Sequence, residues 1–320
     1  MAKDSLDLFG APKPPRAVPV MVPLPVPKPY SYMVPDGMNV EPGAIVQVPV
    51  GPRQYFGVVW NDDAGDQIDP KKLKPITEAF QCPPLSEDMR GFLDWISGYT
   101  LSPPGLVARM ALRAPAAFDP EPMVEGIRLT DQRPERLTPA RTRVLALAEE
   151  APVWTRLGLA HAAGVSTSVV DGLITQGIFE TVFLPPPPVT AKPDPDYAAP
   201  KLEQGQQAAA DELIAAVRKA EFGVTLIDGV TGSGKTEVYF EAIAETIRQG
   251  KQVLILLPEI ALTPAFLERF QDRFGAKPAE WHSDLAPKMR EKVWRQVAEG
   301  DVRVVAGARS ALFLPFEDLG

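Results

Sequence analysis

The sequence predicts a multidomain α/β protein, in which a small β-rich domain and a winged helix precede an incomplete parallel-sheet lobe. Three observations carry this. Prolines cluster among short β-branched runs up to about residue 117, three helical patterns follow in quick succession between Thr138 and Val182, and from Leu202 strands alternate with helices around a glycine-rich loop.

With 320 residues the chain has room for two or three domains, and 45% apolar residues can fill real cores. Its 36 prolines are roughly twice the average usage of about 5%. They favour linkers and proline-interrupted strands over one smooth domain. A net charge of −8 gives no bulk attraction to nucleic acid, so any phosphate contact must use local basic clusters. The single cysteine, Cys82, excludes an internal disulfide and a cysteine-built metal site within these residues, and only His161 and His282 offer imidazole. No apolar run approaches a membrane span, and the start MAKDSLDLFG has acids where a secretory signal needs a basic patch. The expectation is a reduced, cytoplasmic setting without membrane contact.

Residues 1–16 read as a flexible tail and 17–117 as the β-rich domain. Within it, Ala44–Val50 and Tyr55–Trp60 read as strands bounded by the turn residues Asp36-Gly37, Pro42-Gly43 and Gly51-Pro52. The run VPVMVPLPVPKP suits an edge strand or an extended arm, because proline cannot donate to a central ladder. Leu85–Tyr99 reads as a helix with Phe92 and Ile96 on one face. Residues 118–136 read as a polar connector. Residues 137–183 hold the three helices and then IFETVFL, a two-strand wing or a single strand. Gly164 in the turn and Ser166 as a cap give the last two helices a helix-turn-helix rhythm. Its second helix carries no Lys or Arg from Ser168 to Gln176, so sequence-specific groove reading is not expected. The prolines of 184–200 make a semi-rigid linker. In 201–320, Gly223–Asp228, Val253–Leu257, the short AEWHS run and Val302–Gly307 read as parallel strands, with helices at Lys235–Gln249, Pro264–Phe274 and Pro287–Ala298.

The string GVTGSGKT fits G-x-x-x-x-G-K-[ST], after a strand and at the start of a helix, where the mechanism requires it. Gly229, Val230, Thr231, Gly232, Ser233 and Gly234 can turn backbone N–H groups toward phosphates. Lys235 can reach the outer phosphates and Thr236 can offer its hydroxyl to Mg²⁺, so a nucleotide and Mg²⁺ are the expected ligands, and the resemblance described next makes that nucleotide ATP. Gln206, about twenty residues earlier, could read an adenine edge; taken alone, it reads as a helix-surface residue.

GVTGSGKTEVY, LPEIALT (Leu257–Thr263), His282-Ser283 and GARSALFLPF (Gly307–Phe316) occur in order at close intervals. Together they resemble the primosomal replication-restart helicases, a family within superfamily 2. The resemblance is most specific over 202–320 and looser over 17–183. It implies a RecA-like first helicase lobe, a 3′-end DNA-binding domain and a winged helix. The activity it implies is ATP-driven 3′→5′ DNA unwinding at stalled or repaired forks, with reloading of the replicative helicase. DNA, primosome proteins and single-stranded DNA-binding protein are the implied partners. By the same resemblance Gln206 reads adenine. Pro258, Glu259 and Thr263 form a first DNA-tracking motif, and Gly307, Arg309 and Ser310 the next, with Ala308 where the family more often has threonine. Tyr30, Ser31, Gly51 and Lys74 match the 3′-end pocket, where Ser31 replaces an acid and weakens the acceptor for a free 3′-hydroxyl. On residue type alone, Tyr30 could equally be a core aromatic and Arg309 a surface arginine.

The family places an Asp-Glu-Glu-His motif beyond Gly320, then a second lobe and a cysteine-rich zinc module. The sequence therefore reads as the N-terminal part of a longer protein, with zinc expected only downstream. Such a segment is expected to bind ATP and DNA without full turnover, and its end after Ala308 to be poorly anchored. A non-hydrolysing DNA-fork tethering module is the main alternative. An unrelated phosphate-loop kinase is disfavoured by the LPEIALT and GARSALF strings.

Overall fold

A computed structural model describes residues 16–61, 72–134, 136–258 and 263–320. Two compact units emerge: Met1–Pro120 with Pro188–Gly320, and Glu121–Pro187.

The first unit begins with a six-stranded sheet of order β5-β2-β1-β4-β3-β6, made of β1 (Ala17–Met21), β2 (Tyr30–Met33), β3 (Ile45–Val50), β4 (Arg53–Val59), β5 (Lys74–Pro75) and β6 (Glu78–Ala79). β3 and β4 are the two runs read as strands, paired antiparallel through a tight turn at Gly51, whose φ of 59° suits glycine. The proline run departs from expectation, because β1 is an interior strand between β2 and β4. Pro19 is tolerated there because the β1–β4 ladder begins only at Val20. On that side Pro19 contributes only its carbonyl, which accepts the Trp60 N–H at 2.8 Å, so the missing proline donor is never called upon.

Helix α1 (Glu87–Thr100) starts where the Ser86 hydroxyl accepts the Met89 N–H, with Glu87 and Asp88 in its first turn. A second helix, α2 (Pro104–Ala111), was not foreseen, although proline at its start is an ordinary helix opening. It lies against the chain just after β1 so closely that a Cβ on Gly105 would stand 2.1 Å from the Leu24 carbonyl oxygen.

The second unit contains β7 (Val124–Leu129), α3 (Pro139–Glu150), α4 (Arg156–Ala162), α5 (Thr167–Thr175) and β8 (Phe179–Leu184). β7 and β8 form an antiparallel pair. IFETVFL is thus one strand, and its partner comes from the stretch read as a polar connector. Only Ile127 of β7 is both apolar and buried, too little alternation to mark a strand among Glu125, Gly126 and Arg128. Val144, Leu159, Val170, Leu173 and Phe179 complete this core.

The chain then returns to the first unit. Residues 188–200 are strapped to the lobe rather than hanging free: the Val189 N–H donates to Gln296 (2.8 Å), the Asp194 N–H to the Phe274 carbonyl (2.9 Å), and Arg248 pairs with Asp196 (2.6 Å). There follow α6 (Gln204–Lys219), α7 (Lys235–Arg248), β9 (Val253–Leu256), α8 (Pro264–Phe274), β10 (Ala279–Trp281), α9 (Pro287–Ala298) and β11 (Val304–Gly307). The three strands form a parallel sheet of order β10-β11-β9, as the β/α alternation predicts.

Two expectations fail in this lobe. Residues 223–228 are not a strand, and Val224 and Leu226 are 86% and 89% exposed. A ladder strand needs a neighbour about 4.8 Å away, and among the described residues none pairs with this segment. The outer edge of β9 is instead met at its start by the segment expected to be poorly anchored: the Gln252 N–H donates to the Asp318 carbonyl (2.8 Å) and the Gly320 N–H to the Gln252 carbonyl (2.9 Å). The buried Gln252 amide fixes that segment further. Its oxygen accepts the Glu317 and Asp318 N–H groups and its nitrogen donates to the Val297 and Val302 carbonyls. Leu314 and Phe316 are buried.

The N-terminal sheet and the lobe share one core. Phe56, Phe80, Phe118 and the α9 residue Trp294 form a cluster of rings with contact centroids 5.3 to 5.8 Å apart. Phe118, which began the stretch read as a connector, is fully buried here. Because α2 meets backbone at Gly105, Gly105→Ala should overpack this contact and destabilise the chain by about 1–3 kcal/mol. Urea unfolding followed by tryptophan fluorescence would measure it, and an unchanged midpoint would contradict the close approach.

Candidate nucleotide and DNA sites

The loop Gly229–Thr236 leads directly into α7. Gly232 and Gly234 adopt φ of 83° and 79°, a region that L side chains rarely enter. Gly234 caps α7, so the unpaired N–H groups of the helix start, and its positive dipole end, face the loop. Lys235 Nζ donates to the carbonyls of Gly229 (2.5 Å) and Val230 (3.0 Å). Neutral carbonyls hold an ammonium less strongly than a phosphate oxygen does, so this lysine is placed to exchange them for an anion. Val230 and Thr231 are exposed at the tip, and the Ser233 N–H donates back to the Val230 carbonyl at 3.2 Å. A Cβ on Gly229 would meet the Ser233 hydroxyl at 2.8 Å. Among the described residues no group of three His, Cys, Asp or Glu side chains could hold a metal ion.

Gln206 reaches this loop from the first turn of α6. Its amide oxygen accepts the Glu203 N–H (2.9 Å) and its nitrogen donates to the Ser233 carbonyl (3.0 Å). Both ends of the amide that could read adenine are thus engaged in capping α6 and bracing the loop. Glu237 and Glu241 pair with Arg269 and Arg273, which fastens α7 to α8 behind the loop.

Pro258, Ala308, Arg309 and Ser310 line one open cleft of about 670 Å³. The parallel sheet brings them together: β9 and β11 are neighbours, and past their ends the Leu257 N–H donates to the Gly307 carbonyl at 3.0 Å. Gly307 has no room for a side chain, since a Cβ would stand 2.5 Å from the Trp281 carbonyl oxygen. Arg309 is exposed at the cleft. Thr263 caps α8 by accepting the Phe266 N–H. Glu259 lies outside the described residues.

The four residues matched to a 3′-end pocket occupy neighbouring elements. Tyr30 and Ser31 open β2. Lys74 is on β5, which runs parallel to β2 with Lys74 beside Tyr32. Gly51 sits in the β3–β4 turn, and the Tyr32 hydroxyl donates to the Pro49 carbonyl (3.1 Å), drawing that turn to β2. Tyr30 is 43% exposed, which favours a contact residue over a core aromatic. Lys72 is exposed nearby, while Lys71 lies outside the described residues. Burial, and secondarily the Tyr30 phenol, push the Tyr32 phenol up to about 12, which keeps it a neutral donor.

Comparison with known proteins places these features in a class. Residues 19–113 match the family model of the PriA 3′ DNA-binding domain, and residues 203–318 that of the DEAD/DEAH box helicases. The chain thus joins a 3′ DNA-binding domain to a helicase lobe. It is 30% identical to the replication restart protein PriA of Chlamydia pneumoniae over 92% of this chain and 41% of that protein, and 30% identical to that of Haemophilus influenzae over 95% and 43%. The PriA of Bacillus subtilis is 27% identical over 92% of this chain and 46% of its own length. The chain belongs to the PriA family of replication restart proteins, and it spans less than half the length of these relatives.

The raised Tyr32 pKa has a consequence for stability. A phenol of ordinary value 10.0 that rises to about 12 on folding stabilises the fold fully below pH 10, and that contribution is lost as pH climbs through 12. Thermal melts of the wild type should therefore fall more steeply between pH 10 and pH 12 than those of Tyr32→Phe. Parallel curves would refute the assignment.

Proposed function

We propose that this segment is the ATP- and DNA-binding N-terminal part of an ATP-dependent 3′→5′ DNA helicase that recognises stalled or repaired forks and restarts replication by primosome assembly. The observation that carries the reading is the loop Gly229–Thr236 at the start of α7, in the same compact unit as the cleft at Arg309 and the Tyr30–Lys74 surface. The loop fits a nucleotide triphosphate. Its glycines leave the backbone uncovered, Lys235 would take the outer phosphates, Thr236 would offer its hydroxyl to Mg²⁺, and Gln206 would exchange its capping bonds for the adenine edge. Bound ATP–Mg²⁺ supplies the free energy of phosphoryl transfer.

Arg309 would hold a strand phosphate in the cleft, with Pro258 and Ser310 in the same lining and Thr263 and Gly307 as the remaining members of the two tracking motifs. Tyr30 would stack on a terminal base, Lys74 would bind phosphate, and Gly51 would let the strand approach the turn. The second unit, three helices and a two-stranded ribbon, is assigned as a winged helix, and its cation-free α5 suits a protein contact better than a groove. Primosome proteins and single-stranded DNA-binding protein are the partner classes this reading carries. Zinc is expected only in the part that the resemblance places downstream of these residues. A tethering module that holds ATP without turnover is favoured by one observation, the unpaired and exposed segment 223–228 that leads into the loop.

Lys235→Ala should abolish ATP–Mg²⁺ binding by titration calorimetry; equal affinity in the two proteins would sink the loop assignment. Tyr30→Ala should weaken binding to a 3′-ended oligonucleotide about tenfold, the loss of one stacked base. Blocking the 3′-hydroxyl should matter little, because Ser31 is a weak acceptor, and a large loss on blocking it would overturn that point. Residues 1–320 assayed alone should bind nucleotide yet release little phosphate even with DNA, since the segment supporting the loop is unpaired. Brisk turnover that Lys235→Ala removes would show that the loop needs no such support.

A further inference from the structure

Two ion pairs join α7 to α8, and they are not equivalent. Glu237 and Glu241 stand four residues apart on α7, and Arg269 and Arg273 four apart on α8, so the pairs lie one turn apart along both helices. The Glu241–Arg273 pair is largely buried, and the Arg273 guanidinium also donates to the Pro195 carbonyl at 2.9 Å. Beside it Phe240 packs edge-on against Phe266, Phe270 and Phe274. These contacts suffice to hold the two helices together. The Glu237–Arg269 pair is partly exposed, with side chains 29% and 49% accessible, and a pair in that setting contributes little to stability.

What sets the outer pair apart is its position at the nucleotide loop. Glu237 is in the first turn of α7, directly after Lys235 and Thr236. Arg269 takes one of its carboxylate oxygens: the arginine Nε donates to it at 3.0 Å, and a terminal guanidinium nitrogen pairs with the same atom. The other oxygen lies toward the loop, where a Cβ built on Gly234 would stand 3.5 Å from it. Lys235 turns its ammonium to the Gly229 and Val230 carbonyls, which leaves Arg269 as the cation on Glu237. An acid in the first turn suits the positive end of a helix and needs no further reason there. Here, however, the helix start is also where a nucleotide's phosphates would lie, so the carboxylate is a like charge beside the ligand.

We infer that Arg269 is a positioning residue for nucleotide binding: it draws the Glu237 carboxylate onto α8 and cancels its charge, so that a polyphosphate can enter the loop beside an acid. Arg269 has this role only if Gly229–Thr236 holds a nucleotide, as proposed above, and it joins the site from outside the loop sequence, 32 residues from Glu237 along the chain. Masking differs from plain bracing in its dependence on context. An arginine that only braced α7 would matter whatever stood at position 237. An arginine that masks Glu237 matters only while that residue is an acid, and its loss costs more affinity as the ligand carries more phosphate charge.

The test is a double-mutant cycle read by titration calorimetry, with ATP–Mg²⁺ and ADP–Mg²⁺ on residues 1–320. Arg269→Ala should weaken ATP binding about tenfold, the effect of one uncancelled unit charge several Å away near a protein surface, and ADP binding less. Glu237→Gln should bind ATP at least as tightly as the wild type. In the Glu237→Gln background Arg269→Ala should change the affinity by less than about twofold, and Arg269→Lys, which keeps the charge, should retain most of the wild-type affinity. Thermal melts should stay close to the wild type, because the Glu241–Arg273 pair and the Phe240 contacts remain. A loss on Arg269→Ala of the same size in both backgrounds would overturn the masking role and leave bracing or direct phosphate contact. Unchanged ATP affinity in Arg269→Ala alone would overturn it as well. A wild type that binds no ATP would overturn the loop reading and the role of Arg269 with it.

Discussion

Helix α9 joins the N-terminal domain to the helicase lobe through buried donors that reach backbone carbonyls. The Trp294 indole donates to the Ala111 carbonyl at 2.9 Å. Arg295 donates to the carbonyls of Gln81, Ala117 and Phe118 and pairs with Glu299. A buried guanidinium is tolerated only when its donors are satisfied, and besides Glu299 on the same helix the three carbonyls that satisfy it lie more than 170 residues away along the chain. The Phe56–Phe80–Phe118–Trp294 cluster packs around the same contact. The junction therefore depends on the end of α2 and on residues 115–118 being held in place, and the Gly105 contact with the chain after β1 does that.

This seam sets which surfaces stand side by side. Because α2 is fixed against α9, Arg113 and Arg290 share a wall, and Phe92 of α1 packs against Phe313 of the lobe. The surface at Tyr30 and Lys74 belongs to the other part of the same sheet, where β5 pairs with β2 and the Tyr32 hydroxyl draws the β3–β4 turn toward them.

The nucleotide loop shows a different dependence. Its glycine conformations and the helix start after it are local, and they form although residues 223–228 are exposed and unpaired. Gln206 and the Lys235–carbonyl contacts hold the loop together without a ligand. The ion pairs of Glu237 and Glu241 with Arg269 and Arg273 transmit the position of α7 to α8, which Thr263 caps.

The sequence by itself determined the features whose cause is local. The glycine-rich loop, the β3–β4 hairpin and the β/α rhythm from α7 onward each follow from residue type and spacing within a turn or two. Tertiary structure decided whatever needed a distant partner. Pro19 could enter an interior strand because β4 had already ended opposite it. Val124–Leu129 became a strand because Phe179–Leu184, some fifty residues later, pairs with it. Val224–Ile227 has the β-branched and apolar residues a strand prefers and is none, because β structure is completed by a neighbour rather than by propensity. The depression lined by Arg109, Arg113 and Arg290 followed the same rule: the first two are ordinary surface residues in sequence, and only the docking of α9, held by carbonyl groups that no sequence pattern marks, puts Arg290 beside them.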